Sequence, residues 1–345
     1  MRMAFLDRDG TLIWEPPETK QVDSLEKLRI LSHVASGLRT LHEEGFSLVL
    51  VSNQDGLGTD SFPEEHFREA QEELERRLAR ENIAFDHVLV CPHQPQDGCS
   101  CRKPQTGLVQ PLLESCEVDL GNSLMVGDRD SDAEFARRLG VSFVKMTTNE
   151  SFPRFARAHR ETTETNIEVL VNLDGSGRAK VSTGIGFFDH MLELLTHHSL
   201  VDLNLNVSGD LDVDEHHTVE DTGLVLGESI SRALGDRSGI ERYGFWVPMD
   251  EALAEVVIDI SGRPCFVFAG AFQREYVGKL PTELVAHFFG SFSQALGCSL
   301  HMKLHRGSNE HHKVEALFKG LGRSLRVALR DCPHQSAIPS TKGLL

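Results

Sequence analysis

Positions 214–223 read DEHHTVEDTG and positions 309–318 read NEHHKVEALF. At an offset of 95 residues the two stretches share Glu, His, His, Val and Glu. On a helix, adjacent side chains diverge by about 100°, so His216 and His217 serve different partners, as do His311 and His312. Glu220 lies within a turn of either histidine of its pair, and Glu315 repeats the arrangement. His190 in GFFDHM and His287 in LVAHFF sit on the preceding helical stretches. Each half of this region therefore offers three imidazoles and one carboxylate. Together they can fill two octahedral sites with room for substrate, and N/O donors without thiolate suit two Mn²⁺ or similar divalent ions. A solvated His-rich helix accounts for one such pair, but not for two with identically spaced glutamates. His197, His198, His301, His305 and His334 lack the pattern and read as ordinary residues.

A second constellation occupies the N-terminal half. DRDGTL (7–12) sets two carboxylates two positions apart just past an apolar run. Asp7 can attack phosphorus while Mg²⁺ shields the repulsion between carboxylate and phosphate. Asp9 is near enough to protonate the leaving oxygen and then deprotonate water. Ser52 in VSNQ and the amides after it can hold the phosphate, and Lys103 in CRKP is a fixed positive charge. Asp128 in VGDRDSD joins Asp7 and Asp9 as a Mg²⁺ carboxylate, with Asp132 behind it. A lone D-x-D in a loop is ordinarily a turn, but here four elements recur in order, each after a strand. Between them, Cys91, His93, Cys99 and Cys101 form C-x-H-x5-C-x-C. Three thiolates and one imidazole make a closed, structural Zn²⁺ site. Cys116, Cys265, Cys298 and Cys332 stand alone and read as small core or surface residues.

These groups need elements to hold them. In the first 150 residues, the runs 3–6, 47–51, 87–90, 123–126 and 142–146 read as buried strands, with helical spacing over 30–44, 64–81 and 131–140. That rhythm predicts a parallel sheet with helices on both faces. A linker is predicted within the polar segment 147–166. Beyond it, IEVLVNL and VDLNLNVSGDLDV alternate with period two. Helices are predicted near 187–197, 216–234, 282–296 and 311–330. The order strand–helix–strand–helix occurs twice, which predicts an α+β domain of two tandem-duplicated halves. The division expected is 1–154 and 155–345.

Composition sets the boundaries. A chain of 345 residues is long enough for two cores. A formal net charge of −17 argues against nucleic acid or an anionic membrane as partner. No run approaches 18 apolar residues, and the opening MRMAFLDRDG lacks an export signal. A cytoplasmic location is expected.

The N-terminal motifs resemble the haloacid-dehalogenase-like phosphatases, a Rossmann-like α/β fold. That resemblance implies Asp7 as nucleophile, Asp9 as proton donor and Asp128 as metal ligand. The zinc-loop variant resembles histidinol-phosphate phosphatase and also heptose-bisphosphate phosphatase. Across 155–345, GFFDHM, DEHHTVED, DISGRP and NEHHKVEALFK resemble imidazoleglycerol-phosphate dehydratase. The whole chain then resembles the bifunctional histidine-biosynthesis enzymes that join the two activities, and the fusion favours histidinol phosphate over a heptose bisphosphate. The resemblance further implies Glu164 as acid/base. It implies Arg242, Arg263, Lys319, Ser340 and Lys342 as phosphate contacts, phosphorylated imidazoles as substrates and a large homo-oligomer of 24 subunits. Expulsion of hydroxide through a diazafulvene-like intermediate is the implied chemistry. Leu194 departs from the family's frequent polar residue, which touches a substrate contact and no metal ligand.

Overall fold

All five apolar runs of the N-terminal half fold as parallel strands. The computed structural model describes residues 1–60, 62–237, 239–244, 247–331 and 339. The chain divides into two units, Met1–Pro153 and Arg154–Leu345. The first contains β1 (Arg2–Leu6), α1 (Val34–Glu43), β2 (Phe46–Asn53), α2 (Glu64–Ala79), β3 (His87–Cys91), α3 (Gln110–Ser115), β4 (Leu124–Gly127), α4 (Asp130–Leu139) and β5 (Ser142–Lys145). Hydrogen-bonded neighbours follow the order β3-β2-β1-β4-β5, every pair parallel. Met3–Leu6 and Leu48–Val51 are wholly buried, which is why these runs are apolar without alternation. One face packs Met3, Phe5, Val49, Val51 and Met125 against Leu112 of α3 and Phe135 and Ala136 of α4. At β1 the strand order reverses, and Asp7 and Asp128 directly follow the adjacent strands β1 and β4. The crevice of an open parallel sheet lies at such carboxyl ends.

The second unit contains β6 (Phe155–Glu161), β7 (Thr165–Asn172), β8 (Ala179–Ser182), α5 (Gly186–Ser199), β9 (Asp202–Gly209) and α6 (His216–Leu234). It continues with β10 (Tyr243–Gly244), β11 (Val247–Met249), β12 (Ala252–Asp259), β13 (Cys265–Ala269), β14 (Tyr276–Val277), β15 (Leu280–Pro281), α7 (Glu283–Leu296), β16 (Ser299–Arg306) and α8 (Glu310–Ala328). One sheet runs β6-β7-β9-β8 and the other β10-β12-β16-β13, each with one parallel pair at its edge. Ile167, Val169 and Val171 on β7 and Ala254, Val256 and Ile258 on β12 are buried at every second position, as one covered face requires. The segment 147–166, within which a linker is predicted, contains the division between the two units at Pro153/Arg154, and also β6 and the start of β7. Polar side chains on β6 mask the alternation, while Phe155 and Ala156 are buried and the whole strand pairs with β7.

The four helices pack crosswise, α6 on α7 and α5 on α8. Glycines permit the close approach. A Cβ on Gly227 would lie 2.5 Å from the Phe292 carbonyl oxygen, and one on Gly322 would lie 2.7 Å from that of Leu195. At the centre Phe288 meets Phe188 edge-to-face and stacks on Phe318, each at a centroid distance of 5.3 Å. Truncating such a ring to Ala costs about 3–5 kcal/mol. This packing sets the separation of the histidine-bearing helices.

Candidate active sites

In the first unit, Asp7, Asp9, Ser52, Gln54, Lys103 and Asp132 are all buried around one crevice. Lys103 Nζ lies 2.5 Å from Asp7 Oδ1 and 2.7 Å from Asp132 Oδ1. Carboxylate oxygens of Asp7, Asp128 and Asp132 fall within 4.8 Å of one another. Gly10, with φ +79°, leaves room for this: a Cβ there would sit 2.7 Å from Asp128 Oδ2. The sequence groups Asp9 with Asp7 and Asp128 as the cation's carboxylates. Gln54 Nε2 donates to Asp9 Oδ2 at 2.5 Å, the other Asp9 oxygen makes no hydrogen bond among the described residues, and Asp132 lies beside Asp7 and Asp128. Gln54 Nε2 also donates to Ser52 Oγ at 2.7 Å. Burial, and after it the Asp7 charge, pushes Asp128 up to about 7 and also raises Asp132. Lys103 is raised, because Asp7 and Asp132 outweigh the larger single effect of burial. Three crowded carboxyls, with Asp128 Oδ1 buried and without a hydrogen-bond partner among the described residues, fit a hard divalent cation with oxygen ligands.

The cysteine loop runs into this crevice. Cys91 Sγ lies 3.2 Å from Cys101 Sγ and 3.8 Å from Cys99 Sγ, and His93 Nδ1 lies 3.2 Å from Cys101 Sγ. Ligands about 2.0–2.3 Å from a tetrahedral Zn²⁺ stand about 3.3–3.8 Å apart, so the four donors fit the ion. Burial first, then Cys101, pushes the Cys91 thiol up to about 12, a cost that a bound cation removes. Two residues past Cys101, Lys103 is clamped to the end of β2. Its N–H donates to Asn53 Oδ1 at 3.0 Å, and its carbonyl accepts from Asn53 Nδ2 at 3.2 Å. Arg102 reaches Asp55 and the His93 carbonyl. The loop thus fixes the position of the buried lysine.

In the second unit the crosswise packing mixes the two halves. His216 Nε2 and Glu220 Oε2 of α6 lie 3.3 Å apart, and His287 Nε2 of α7 lies 3.0 Å from His216 Nε2. These three could hold one metal. The matching group joins His311 and Glu315 of α8, 3.3 Å apart, to His190 of α5, whose ring centroid is 6.2 Å from that of His311. Glu220, within one turn of both histidines in sequence, sides with His216 and leaves His217 on another face. The adjacent rings stand 83° apart in one pair and 90° in the other. His217 Nδ1 meets Asp210 at 3.0 Å, and His312 Nδ1 meets Glu251 at 2.7 Å. Those carboxylates raise both imidazoles, and His312 in turn holds Glu251 down at about 2.

Glu164, which nothing in the sequence separated from neighbouring glutamates, has Oε1 3.7 Å from His217 Nε2. Lys319 Nζ lies 2.5 Å from Glu315 Oε1. Arg242 forks onto Asp259 and donates to the Pro339 carbonyl at 2.8 Å. Arg263 is exposed. Leu194 packs on the core. Ser340, Lys342, Cys332 and His334 lie outside the described residues.

Comparison with known proteins follows the same division. The family model for imidazoleglycerol-phosphate dehydratase matches residues 183–325, and a HAD-hydrolase-like model matches residues 100–169. A Legionella pneumophila protein named histidine biosynthesis bifunctional protein HisB is 45% identical over 354 residues, covering 100% of this chain and 99% of its own. The chain belongs to the HisB family of bifunctional histidine-biosynthesis proteins. Two solved structures each align with part of this chain. The Staphylococcus aureus imidazoleglycerol-phosphate dehydratase is 38% identical with a TM-score of 0.47, covering 51% of this chain and 99% of its own. A heptose 1,7-bisphosphate phosphatase from B. bronchiseptica is 29% identical with a TM-score of 0.40, covering 43% and 82%.

Several groups near the two sites are not marked by the sequence. Gln54 and Asn53 stand inside VSNQ, beside the serine singled out there. Asp210 and Glu251 face their histidines only through tertiary contact, and no local spacing marks them. No helix among the described residues is long and apolar enough to cross a membrane.

Proposed function

We propose that this HisB-family chain carries two independent active sites. The N-terminal unit hydrolyses L-histidinol phosphate to L-histidinol and phosphate. The C-terminal unit dehydrates imidazole glycerol phosphate to imidazole acetol phosphate. The observation that carries the reading is one chain holding two separate constellations, a lysine-paired carboxylate crevice and a His/Glu pair of sites, alongside similarity to bifunctional relatives over its full length.

In the first site an Asp7 oxygen attacks phosphorus, an Asp7–phosphorus bond forms and the ester bond breaks. Asp9 gives its proton to the departing alkoxide. It then takes a proton from the water that releases phosphate from Asp7. Gln54 holds Asp9 Oδ2, while buried Asp9 Oδ1 has no hydrogen-bond partner among the described residues. Lys103 and Ser52 hold the phosphoryl oxygens. Asp7, Asp9 and Asp128, with Asp132 beside them, would hold Mg²⁺, which would supply charge neutralisation, and Cys91, His93, Cys99 and Cys101 would hold Zn²⁺.

In the second site, His190, His216, His217, Glu220, His287, His311, His312 and Glu315 would hold two Mn²⁺ or similar ions, which would supply positive charge to stabilise the deprotonated imidazole of the substrate. Glu164 takes the carbon-bound proton, and hydroxide leaves from the neighbouring carbon. Arg242, Arg263, Lys319, Ser340 and Lys342 receive the phosphate. His217 and His312 face away from the ligand trios of their own chain, which favours sites completed by a second copy in a large homo-oligomer. The equivalent sheet orders and the two matching HH motifs favour a tandem duplication.

Activity assays of Asp7→Asn and His216→Ala test the reading. Asp7→Asn abolishes phosphate release and spares dehydration, and His216→Ala does the reverse. If both activities fell together in folded variants, the two-site proposal would fail. Faster turnover of a heptose bisphosphate than of histidinol phosphate would overturn the assignment of the first substrate.

A further inference from the structure

Glu164 sits at the tip of the turn between β6 and β7, far in sequence from the metal-binding helix α6. Three sets of contacts hold this tip. The Thr162 N–H donates to the Thr165 carbonyl at 2.8 Å. Thr162 Oγ1 receives the N–H groups of Glu164 and Thr165 at 3.2 and 2.9 Å. The Glu164 carbonyl accepts from the Asp210 N–H at 3.0 Å, and the Asp210 carboxylate meets His217. The third is a buried bond: Thr165 Oγ1 donates to Asp221 Oδ2 at 2.5 Å. Thr165 is 3% exposed and Asp221 8%. Asp221 Oδ1 is paired with Arg160 at 3.1 Å.

We propose that Asp221 and Thr165 are positioning residues that set Glu164 at working distance from the metal-ligating face of α6. The proposal rests on Glu164 being the acid/base. Thr165 follows Glu164 on β7, and Asp221 follows Glu220 on α6, so one short bond joins the chain neighbours of the proton carrier and of a metal ligand. Burying a carboxylate is costly unless it is paired, so packing alone gives no reason for one here. The other half makes the same point. At the matching position α8 carries Ala316, fully buried, within an otherwise equivalent His-His-Glu helix. Helices of this kind therefore pack without the acid. The acid occurs in the half that carries Glu164.

The test uses full-length Mn²⁺-loaded protein with Thr165→Val, Thr165→Ser and Asp221→Asn, each alone and combined with Glu164→Gln. Dehydratase kcat and KM, manganese per chain and assembly size are measured, with phosphate release as internal control. Misplacing a catalytic group by about 1 Å can cost about 100-fold. Thr165→Val and Asp221→Asn should thus lower kcat roughly 10- to 100-fold, with KM, manganese and assembly within about twofold and phosphatase activity unchanged. Thr165→Ser should recover the rate, and in the Glu164→Gln background Thr165→Val should cost nothing further. A Thr165→Val enzyme with wild-type kcat, a loss in step with manganese or assembly, or an undiminished loss in the Glu164→Gln background overturns the proposal. Wild-type kcat in Glu164→Gln itself instead removes the acid/base reading on which it rests.

Discussion

Lys103→Met takes away the cation that holds two buried carboxylates of the phosphatase crevice. Lys103 is 3% exposed and touches Asp7 Oδ1 at 2.5 Å and Asp132 Oδ1 at 2.7 Å. Removing one partner of a buried pair costs about 3–5 kcal/mol, because the other charge stays buried and uncompensated. Asp128 and Asp132 are already raised, so at low pH protonation absorbs part of the loss. The full cost therefore applies above about pH 7. For a unit of this size, each kcal/mol moves Tm by about 2–4 °C, giving a drop of roughly 6–20 °C in metal-free protein at pH 8. Mg²⁺ should reverse more of that drop in the variant than it adds to the wild type, since the variant's acid cluster is more negative. Phosphate release should fall roughly 100- to 1,000-fold, the usual effect of losing one group that stabilises transition-state charge. Calorimetry of chelated and Mg²⁺-saturated full-length protein reads the stability, and dehydratase activity reports the integrity of the second unit. A metal-free transition within 2 °C of wild type, or phosphate release within about threefold, would refute the electrostatic role given to Lys103.

Metal-free stability of the first unit should fall between about pH 4 and pH 7, because folded Asp128 keeps a proton that the unfolded chain has released. Asp128→Asn or saturating Mg²⁺ should flatten that slope, and a wild-type Tm that instead rises with pH would contradict the assignment. Asn53→Ala removes two hydrogen bonds to the Lys103 backbone, worth about 1–3 kcal/mol together, and should slow phosphate release roughly 5- to 100-fold without loss of zinc. Cys101→Ser should release the zinc and lower phosphatase activity at least as far as Asn53→Ala, with dehydration retained; full phosphatase activity in zinc-free protein would separate the loop from Lys103. Metal analysis of the native chain should find one zinc and about two manganese-like ions, as the ligand counts require.

Much of the secondary structure is legible in the sequence because burial writes itself into periodicity. β1 and β2, covered on both faces, are unbroken apolar runs, and β7 and β12, covered on one face, alternate. The extents of α2 and α6 follow from helical spacing. The β6 strand was illegible because Arg157, His159 and Arg160 hide its pairing, and the backbone bonds that make it a strand depend on β7. Asp7 and Asp9, two residues apart in a loop, look alike in the sequence. Tertiary contacts distinguish them, since Lys103 pairs with Asp7 and Gln54, just past β2, donates to Asp9.

By itself the sequence determined which atoms are available for chemistry. It fixed the four donors within eleven residues of the cysteine loop, the carboxylates that end β1 and β4, and the two HH pairs with their glutamates. Those are local spacings, and local backbone geometry converts spacing into direction. Only the tertiary structure decided which of these groups meet. Gly227 and Gly322 let α6 approach α7 and α5 approach α8, so His216 joins His287 and His311 faces His190, each across the two halves. It also brought Glu164 to His217, and Asp221 to Thr165. Such encounters arise from close packing between elements distant in the chain, and no window of sequence contains both partners.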